Sequence, residues 1–570
     1  MNVDESRVAA GDESAPYRVD VDPHGERVVP WQQSQKGGSR EDRMKREVTV
    51  SLPPKISDYE PRVPSVLSAQ ADDAIAAIAR LDSSHGESLT ALSLLLLRAE
   101  SVASSKIENV EASLEDYARA AHGYRANESA NSMVASAKAL ESLISSAGAG
   151  GLLTLENVLI AHRTLMADDP AEAIYAGRLR DMQNWIEGSD YSPRDATYVP
   201  PPPKTVEGYL ADLFEFANRD DVPVLVQAAV AHAQFESIHP FTDGNGRISR
   251  ALVNTILRRR GITSRVVVPL ASVLVAKRET YFNVLSAYRE GDAGPIIRAF
   301  VVAARTAARE SERSARRLAE LPDEWTAEYL AHTGRTPRTG SAARRIIEEL
   351  PNQPFFTAEH IEEAVGGSTS AVYSAIESLV AAAILRPLTN RKRDQIWCAS
   401  AIIDELEDLG RRVARRATGN HVWEDISSQA ISSMLLQNRA TMERLSEAFA
   451  HAGAATEMLR VLTASQGSEE SRRRLLSAAR VPEIVMANLG DLGVSPAMRS
   501  AIEMARQVPR NWKPVGTDVA LSPQLQRSLK EWEAFTRSLA RTTRLPEAVL
   551  QSMDAIGDEQ DVGDEPTPAT

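Results

Sequence analysis

A single cysteine, Cys398, stands among the 570 residues, so no internal disulfide can form and a reducing compartment is expected. It sits in the apolar stretch Gln395 to Ala399, which reads as a buried strand position rather than a nucleophile. Positive charge is in deficit. The 65 Lys and Arg against 78 Asp and Glu give a formal net charge of -13, which excludes a chain whose whole surface binds nucleic-acid phosphates and leaves only local basic patches. Long apolar runs are missing too: the most tempting, Leu94 to Leu97, is one face of a helix and falls far short of a bilayer span. The N-terminus opens on acidic and polar residues, without the basic start and apolar core of a signal peptide, so a cytoplasmic location with no membrane contact is expected. Aromatic residues are few, at 5%, while Ala, Leu, Arg and Glu, which lose little rotamer freedom in helices, are abundant. A mainly α fold follows, and the length calls for several domains because a single core stops growing well below this size.

Residues 1–45 are polar and charged and lack apolar periodicity, so a disordered tail is expected there. Val48 to Leu52 alternates as a short strand and is stopped by Pro53 and Pro54. Helical spacing then takes over at Ala71 to Leu81 and at Leu89 to Ser105, the second stretch running out in Lys106-Ile107-Glu108-Asn109, where asparagine is a helix-stopping residue. Residues 46–145 therefore read as an N-terminal helical region. A core follows over 146–318. Thr154 caps a helix that carries Val158, His162 and Leu165, with His162 read as a packed core histidine. Ala176 to Gly188 shows short apolar alternation between glycines, a hairpin signal, and Pro200 to Pro203 starts the next helix stiffly. Helices are predicted over Pro223 to Ile238, Ile248 to Arg260, Tyr281 to Tyr288 and Ile296 to Arg313, with Arg309 to Arg317 as a solvated helix face. Residues 340–418 change character: a helix from Ala343 to Leu350, a short one from Thr357, the Gly366-Gly367 turn, a helix from Ser368 to Ala382, and a hairpin around Asn390-Arg391-Lys392-Arg393. That order resembles a winged-helix domain. Residues 420–553 read as a helical extension with Ile431, Met434, Leu435, Met442, Leu445 and Phe449 on one stripe and no visible chemistry. Residues 554–570 read as an acidic disordered tail.

The chemistry concentrates between Ser237 and Arg250. Gly244 and Gly246 flank Asn245 at the start of a predicted helix, so the backbone can approach a ligand closely while free N–H groups and the helix dipole attract an anion. Arg247 and Arg250, three apart in the first turns, share a face and can reach one polyphosphate. Asp243 precedes the glycines, where a carboxylate can hold Mg2+, an ion that takes few protein oxygens and completes its shell with phosphate and water. His239 ends the preceding helix, and an imidazole of ordinary pKa about 6.5 can take a proton from a hydroxyl. Phe241 anchors the loop and Pro240 stiffens the exit from the helix. A bare Gly-Asn-Gly turn beside incidental charges is the plainer account. It fails on the number of chemically matched groups in one short stretch.

His239 to Arg250 matches, at each specified position, the signature H-x-F-x-[D/E]-G-N-G-R-x-x-R, and over about Val48 to Arg313 the chain resembles the Fic family. Gly177 to Gly188 is similar to the family's flap hairpin and Thr197 to Pro202 to its continuation. The resemblance implies a Fic-type helical core with a β-hairpin flap and a protein adenylyltransferase activity, in which AMP moves from Mg-ATP to a hydroxyl side chain of a target protein. The flap would take the target's backbone by strand addition. By position, the resemblance makes His239 the general base and Asp243 the Mg2+ ligand. Gly244, Asn245 and Gly246 become the phosphate cradle, Arg247 holds phosphate oxygens, and Arg250 holds the γ-phosphate of ATP. Ser104-Ser105-Lys106-Ile107-Glu108-Asn109 fits the family's inhibitory pattern [S/T]-x-x-x-E-[G/N], which implies that Ser104, Glu108 and Asn109 form an autoinhibitory element with Glu108 paired to Arg250. Two other readings stay open: removal of AMP from a modified protein with Glu108 positioning a water, and a DNA-binding regulator using Arg386, Arg391, Lys392 and Arg393. Against DNA, the predicted recognition helix from Ser368 to Ala382 carries no Lys or Arg, which favours an interaction or homodimer role for that domain.

Overall fold

The computed structural model describes residues 17–33, 36–83, 89–148, 150–389, 395–419 and 421–434. The chain divides near residue 430 into two units, and of the second, 431–570, only residues 431–434 are among those described. Residues 1–16, the basic tip 390–393, the stripe positions Leu435, Met442, Leu445 and Phe449, and the acidic tail lie outside the described residues.

Described residues from 17 onward are structured, which corrects the tail expected over 1–45 from residue 17 on. Strand β1 (Gly25–Pro30) pairs antiparallel with β2 (Glu47–Leu52), and between them α1 (Arg40–Met44) is closed by a capping box of Ser39 and Asp42. Periodicity missed this because the anchors are few and distant in sequence. Val19, fully buried, donates its N–H to Asp292 Oδ1 at 3.2 Å and accepts from the Ala293 N–H at 2.8 Å. The Arg298 guanidinium lies over the Tyr17 ring at 4.0 Å. Asp42 accepts from Ser192 Oγ at 2.7 Å and from Arg194 Nε at 3.2 Å.

Helices α2 (Ser65–Ser83), α3 (Leu89–Ile107), α4 (Leu114–Ala121), α5 (Glu128–Ala147) and α6 (Leu155–Met166) come next. Asn127 caps α5, and Thr154 with Asn157 forms a capping box on α6. A 3-10 turn at Ala173–Tyr175 opens a long irregular segment that ends in a second 3-10 turn at Pro203–Thr205. The hairpin expected over Ala176 to Gly188 is not there. A single antiparallel bridge joins Ile186 to Tyr198, and the Ser51 N–H donates to the Val199 carbonyl at 2.8 Å, which sets this piece beside β2. The prolines from Pro200 onward cannot donate to a ladder, and the Arg180 N–H turns to the Pro240 carbonyl at 2.9 Å.

Helices α7 (Val206–Ala217), α8 (Val224–Ile238), α9 (Asn245–Arg259), α10 (Leu270–Ala276), α11 (Arg278–Arg289) and the long α12 (Gly294–Thr333) complete the core. Residues Leu225 through Ile238 of α8 are all buried, as expected of a helix made of Ala, Val and Leu on every side; small side chains let α7, α9, α11 and α12 pack around it. Its two glutamines are satisfied by carbonyls: Gln227 Nε2 donates to that of Phe216 at 2.9 Å and Gln234 Nε2 to that of Pro54 at 2.7 Å. Helix α3 packs against α5 and α10, which brings its C-terminal end to α9.

Then come α13 (Ala342–Glu349), β3 (Phe355–Phe356), α14 (Ala358–Val365), α15 (Thr369–Ala381), β4 (Leu385–Pro387), β5 (Trp397–Ala399) and α16 (Ser400–Thr418), with an antiparallel sheet in the order β3-β5-β4. Cys398 is buried in β5. Ala118 of α4 joins Phe355, Ile396, Cys398 and Ile403 in a small apolar cluster, and the Arg98 guanidinium of α3 lies 4.4 Å from the Phe355 ring centre. Arg309 to Arg317 is not a purely solvated face. Helix α16 packs on it, and the buried Glu310 meets Arg412 at 3.3 Å and Arg416 at 2.9 Å; partners so far along the chain leave no trace in local charge spacing. Among the described residues no helix is long and apolar enough to cross a membrane.

The Asp42 carboxylate, held below its ordinary range chiefly by the Ser192 hydroxyl, fastens α1 to the 188–195 loop. Asp42→Ala leaves Ser192 and Arg194 without that acceptor, and limited proteolysis is expected to cut within 188–195 faster than in the parent; an unchanged cleavage rate there would contradict the fastening.

Candidate active site

The site is the corner between α8 and α9. His239 caps α8 in the left-handed conformation, φ 49° and ψ 62°, which costs a non-glycine residue about 1 kcal/mol and stops the helix. Gly244 begins α9 with φ 75°, and a Cβ there would come within 2.9 Å of the Leu165 side chain. Glycine is therefore required at this position on two counts. The loop between them is pinned from inside. Asn245 Oδ1 accepts from the Phe241 N–H at 2.8 Å while its Nδ2 donates to the Phe241 carbonyl at 2.9 Å. The Asn245 side chain is thus spent on pinning the loop.

His162 does more than fill the core. Its ring stacks on Phe241 with centres 3.7 Å apart. The Gly177 N–H can only donate, so Nδ1 accepts it, at 3.0 Å, and Nε2–H donates to the Asp243 carbonyl at 3.1 Å. Burial pushes this imidazole down to about 4, so it stays neutral in that tautomer.

Over the first turn of α9 lies an anion supplied by the chain itself. Helix α3 ends at Ile107, Asn109 takes a left-handed φ of 60°, and the intervening Glu108 points its carboxylate at both arginines. Oε1 lies 2.7 Å from Arg250 Nη2 and Oε2 lies 2.8 Å from Arg247 Nε, the latter an ion pair without hydrogen-bond alignment. The pairing expected with Arg250 is present, and Arg247 is added to it. Arg250 is further held by Ser104, through Nε to Oγ at 2.7 Å and Nη2 to the carbonyl at 3.0 Å. Gly246 makes room for all this, since a Cβ would overlap Glu108 Oε1 and sit 2.8 Å from Arg250 Nη1. Burial alone would lower the Arg250 guanidinium, but Glu108, with Tyr281 and Glu236, holds it above its ordinary value. Each contact is worth on the order of 4 kcal/mol of gross attraction at an effective dielectric of about 20, offset by the desolvation of two buried guanidinium groups. Arg247 also reaches Ser132 Oγ at 2.8 Å and Asp243 Oδ2 at 3.1 Å. The Asp243 side chain is 53% exposed, open to solvent at the mouth of the corner.

His239 faces three charges, Glu236 on its own helix, Arg180 and Arg289. Burial pushes its imidazole down to about 4, Glu236 pulls upward, and the two arginines add to the lowering. Its Nδ1 is buried, with no hydrogen-bond partner among the described residues. Glu236 is itself buried, yet His232, His239 and Arg250 around it hold its carboxyl below the ordinary range, and it accepts from Ser249 Oγ at 2.5 Å. Neither Glu236 nor Arg180 was singled out from the sequence. The one available signal for Glu236 was a lone acid in an otherwise apolar, all-buried helix.

Residues 152–257 match the family model described as Fic/DOC family. The chain carries a Fic domain. It runs from the start of α6 almost to the end of α9 and contains the whole corner. Similar curated proteins include protein adenylyltransferase fic-1 of Caenorhabditis elegans, 30% identical over 149 residues, and protein adenylyltransferase Fic of Drosophila erecta, 32% identical over 150 residues. The match covers 26% of this chain in both cases, and 26% and 27% of the two relatives, so only about a quarter of their length is spanned. A solved Fic family protein from Desulfovibrio desulfuricans G20 is 20% identical with a TM-score of 0.39, over 59% of this chain and 97% of that one. In the Fic domain the His239 ring should titrate far below an ordinary histidine. NMR of ring-labelled protein is expected to give a midpoint of about 4; a midpoint near the usual value of about 6.5 would show a solvated ring.

Proposed function

We propose that this Fic domain is a protein adenylyltransferase that Glu108 holds in check. The observation that carries the reading is the Glu108 carboxylate on Arg247 and Arg250 above Gly246: an anionic group already occupies a nest that suits the phosphates of ATP. With Glu108 withdrawn, Arg250 takes the γ-phosphate and Arg247 the neighbouring oxygens. Asp243, a single exposed carboxylate beside the helix start, suits Mg2+, which needs few protein ligands; when bound, the ion neutralises phosphate charge. A target hydroxyl then attacks the α-phosphorus in line. The new O–P bond forms as the bond to the bridging oxygen of pyrophosphate breaks, and the hydroxyl proton passes to the neutral imidazole of His239. Most of the acceleration comes from alignment and charge stabilisation. The target's backbone lies along the segment around Ile186, as an added strand.

The region over 340–418 is read as a winged-helix interaction domain. Its third helix, α15, carries no Lys or Arg, and Arg386 is engaged by Asp404 at 3.1 Å, which favours an interaction role over DNA binding. The protein acts in the cytoplasm in this account.

Self-labelling from α-labelled ATP tests the reading. Glu108→Gly is expected to raise the rate about tenfold or more, equivalent to at least ~1.4 kcal/mol of barrier. Adding His239→Ala should abolish labelling while Mg-ATP binding stays within a factor of about 2, because the base acts on the hydroxyl and the phosphates are held elsewhere. A Glu108→Gly protein that folds normally and labels no faster than the parent would overturn the inhibitory role. Equal loss of binding and transfer on His239→Ala would overturn its assignment as base.

A further inference from the structure

Arg180 lies in the irregular segment between the two 3-10 turns and is 3% exposed. Among the described residues no carboxylate pairs with it; burial pushes it down to about 10, and the only charged-group influence raising it is the Tyr198 phenol. A buried cation without a counter-charge is costly unless its donors are met. They are met by carbonyls. Nε donates to the His239 carbonyl at 2.8 Å, Nη2 to those of Pro201 at 2.6 Å and Ile238 at 3.4 Å, and Nη1 to that of Met182 at 3.2 Å. The Arg180 N–H donates to the Pro240 carbonyl at 2.9 Å.

Three of these acceptors, the carbonyls of Ile238, His239 and Pro240, have a common origin. Because His239 turns left-handed, α8 cannot continue, and its last carbonyls lack helical partners at the negative end of the helix dipole. Arg180 fills that end with a fork of donors from another part of the chain. Its neighbours extend the pattern: Tyr198 OH donates to the Ser237 carbonyl at 2.6 Å and Asn184 Nδ2 to the Phe241 carbonyl at 2.9 Å. Five successive carbonyls, 237 to 241, therefore accept from residues 180–198.

We propose that Arg180 is the positioning residue for His239, its guanidinium fixing the left-handed turn that aims the imidazole and tying that turn to the segment that receives the target. Lysine cannot replace it, since a single ammonium does not span the carbonyls of His239 and Pro201 as the planar fork does. The guanidinium is also one of the charges facing His239, with Arg289 on α11 and Glu236 on α8. Removing that cation favours the protonated ring, so the acid limb of any reaction that needs the neutral base moves to higher pH.

The kinetic part of the test rests on the adenylyl-transfer reading; the spectroscopic part does not. R180K and R180Q are made in the Glu108→Gly protein. Self-labelling from α-labelled ATP is expected to lose about tenfold or more in kcat in both, with KM for ATP within a factor of about 2. Ring NMR of His239 is expected to show the titration midpoint rising from about 4 in R180Q. If the Glu108→Gly parent does not label, the adenylyl-transfer reading fails and the midpoint alone decides. Folded variants with parental kcat, or an R180Q protein with an unmoved His239 midpoint, would overturn the proposal. So would an R180K protein that does not fold, since that would assign the guanidinium to stability alone.

Discussion

One carboxylate holds two guanidinium groups at the start of α9, and much of the corner is built around that contact. Arg247 and Arg250 are nearly buried, where unpaired charges would be costly. Glu108 reaches them because Asn109 reverses the chain just past α3 and because Gly246 has no side chain to block the approach. The same nest of N–H groups and arginines suits a polyphosphate. On the proposed reading, inhibitor and nucleotide compete for one set of donors, and the affinity of the nest for anions serves both states.

A second constraint acts on the other side of the corner. The left-handed His239 leaves the end of α8 with orphan carbonyls, and the irregular segment after α6 supplies their donors. That segment is held from outside by α1 and β2, through Asp42 to Ser192 and through Ser51 to Val199. His162 joins the two systems from below, with one ring nitrogen on Gly177 and the other on the Asp243 carbonyl. His239, Asp243 and the segment around Ile186 are thus positioned by contacts among three stretches of chain far apart in sequence.

The parts legible in the sequence were those that depend on local spacing. The glycines, the arginines three apart and the histidine at a helix end identified the corner, and the helical periods of α3, α8 and α9 placed it. Glu108 was legible through a short pattern that names its partner Arg250 but not Arg247, which lies one turn nearer the helix start. What escaped was non-local. The first strand and α1 were read as disorder because their anchors, Val19 and Asp42, look like isolated residues in a polar stretch. The expected hairpin failed because Ile186 pairs with Tyr198, beyond the glycines that marked the turn. Arg180 looked like one more charge in an alternating strand, yet its charge is spent on carbonyls that exist only because His239 ends α8 as it does.

The competition at α9 can be seen directly by solving the parent and Glu108→Gly proteins with Mg-ATP bound. In the Glu108→Gly complex the γ-phosphate should sit on Arg250 with the α-phosphate open to the side of Ile186. In the parent, Glu108 should keep Arg250 and the triphosphate should be displaced. A parent complex in which Glu108 remains on Arg250 while the γ-phosphate and α-phosphate occupy the same positions as in the variant would contradict the account.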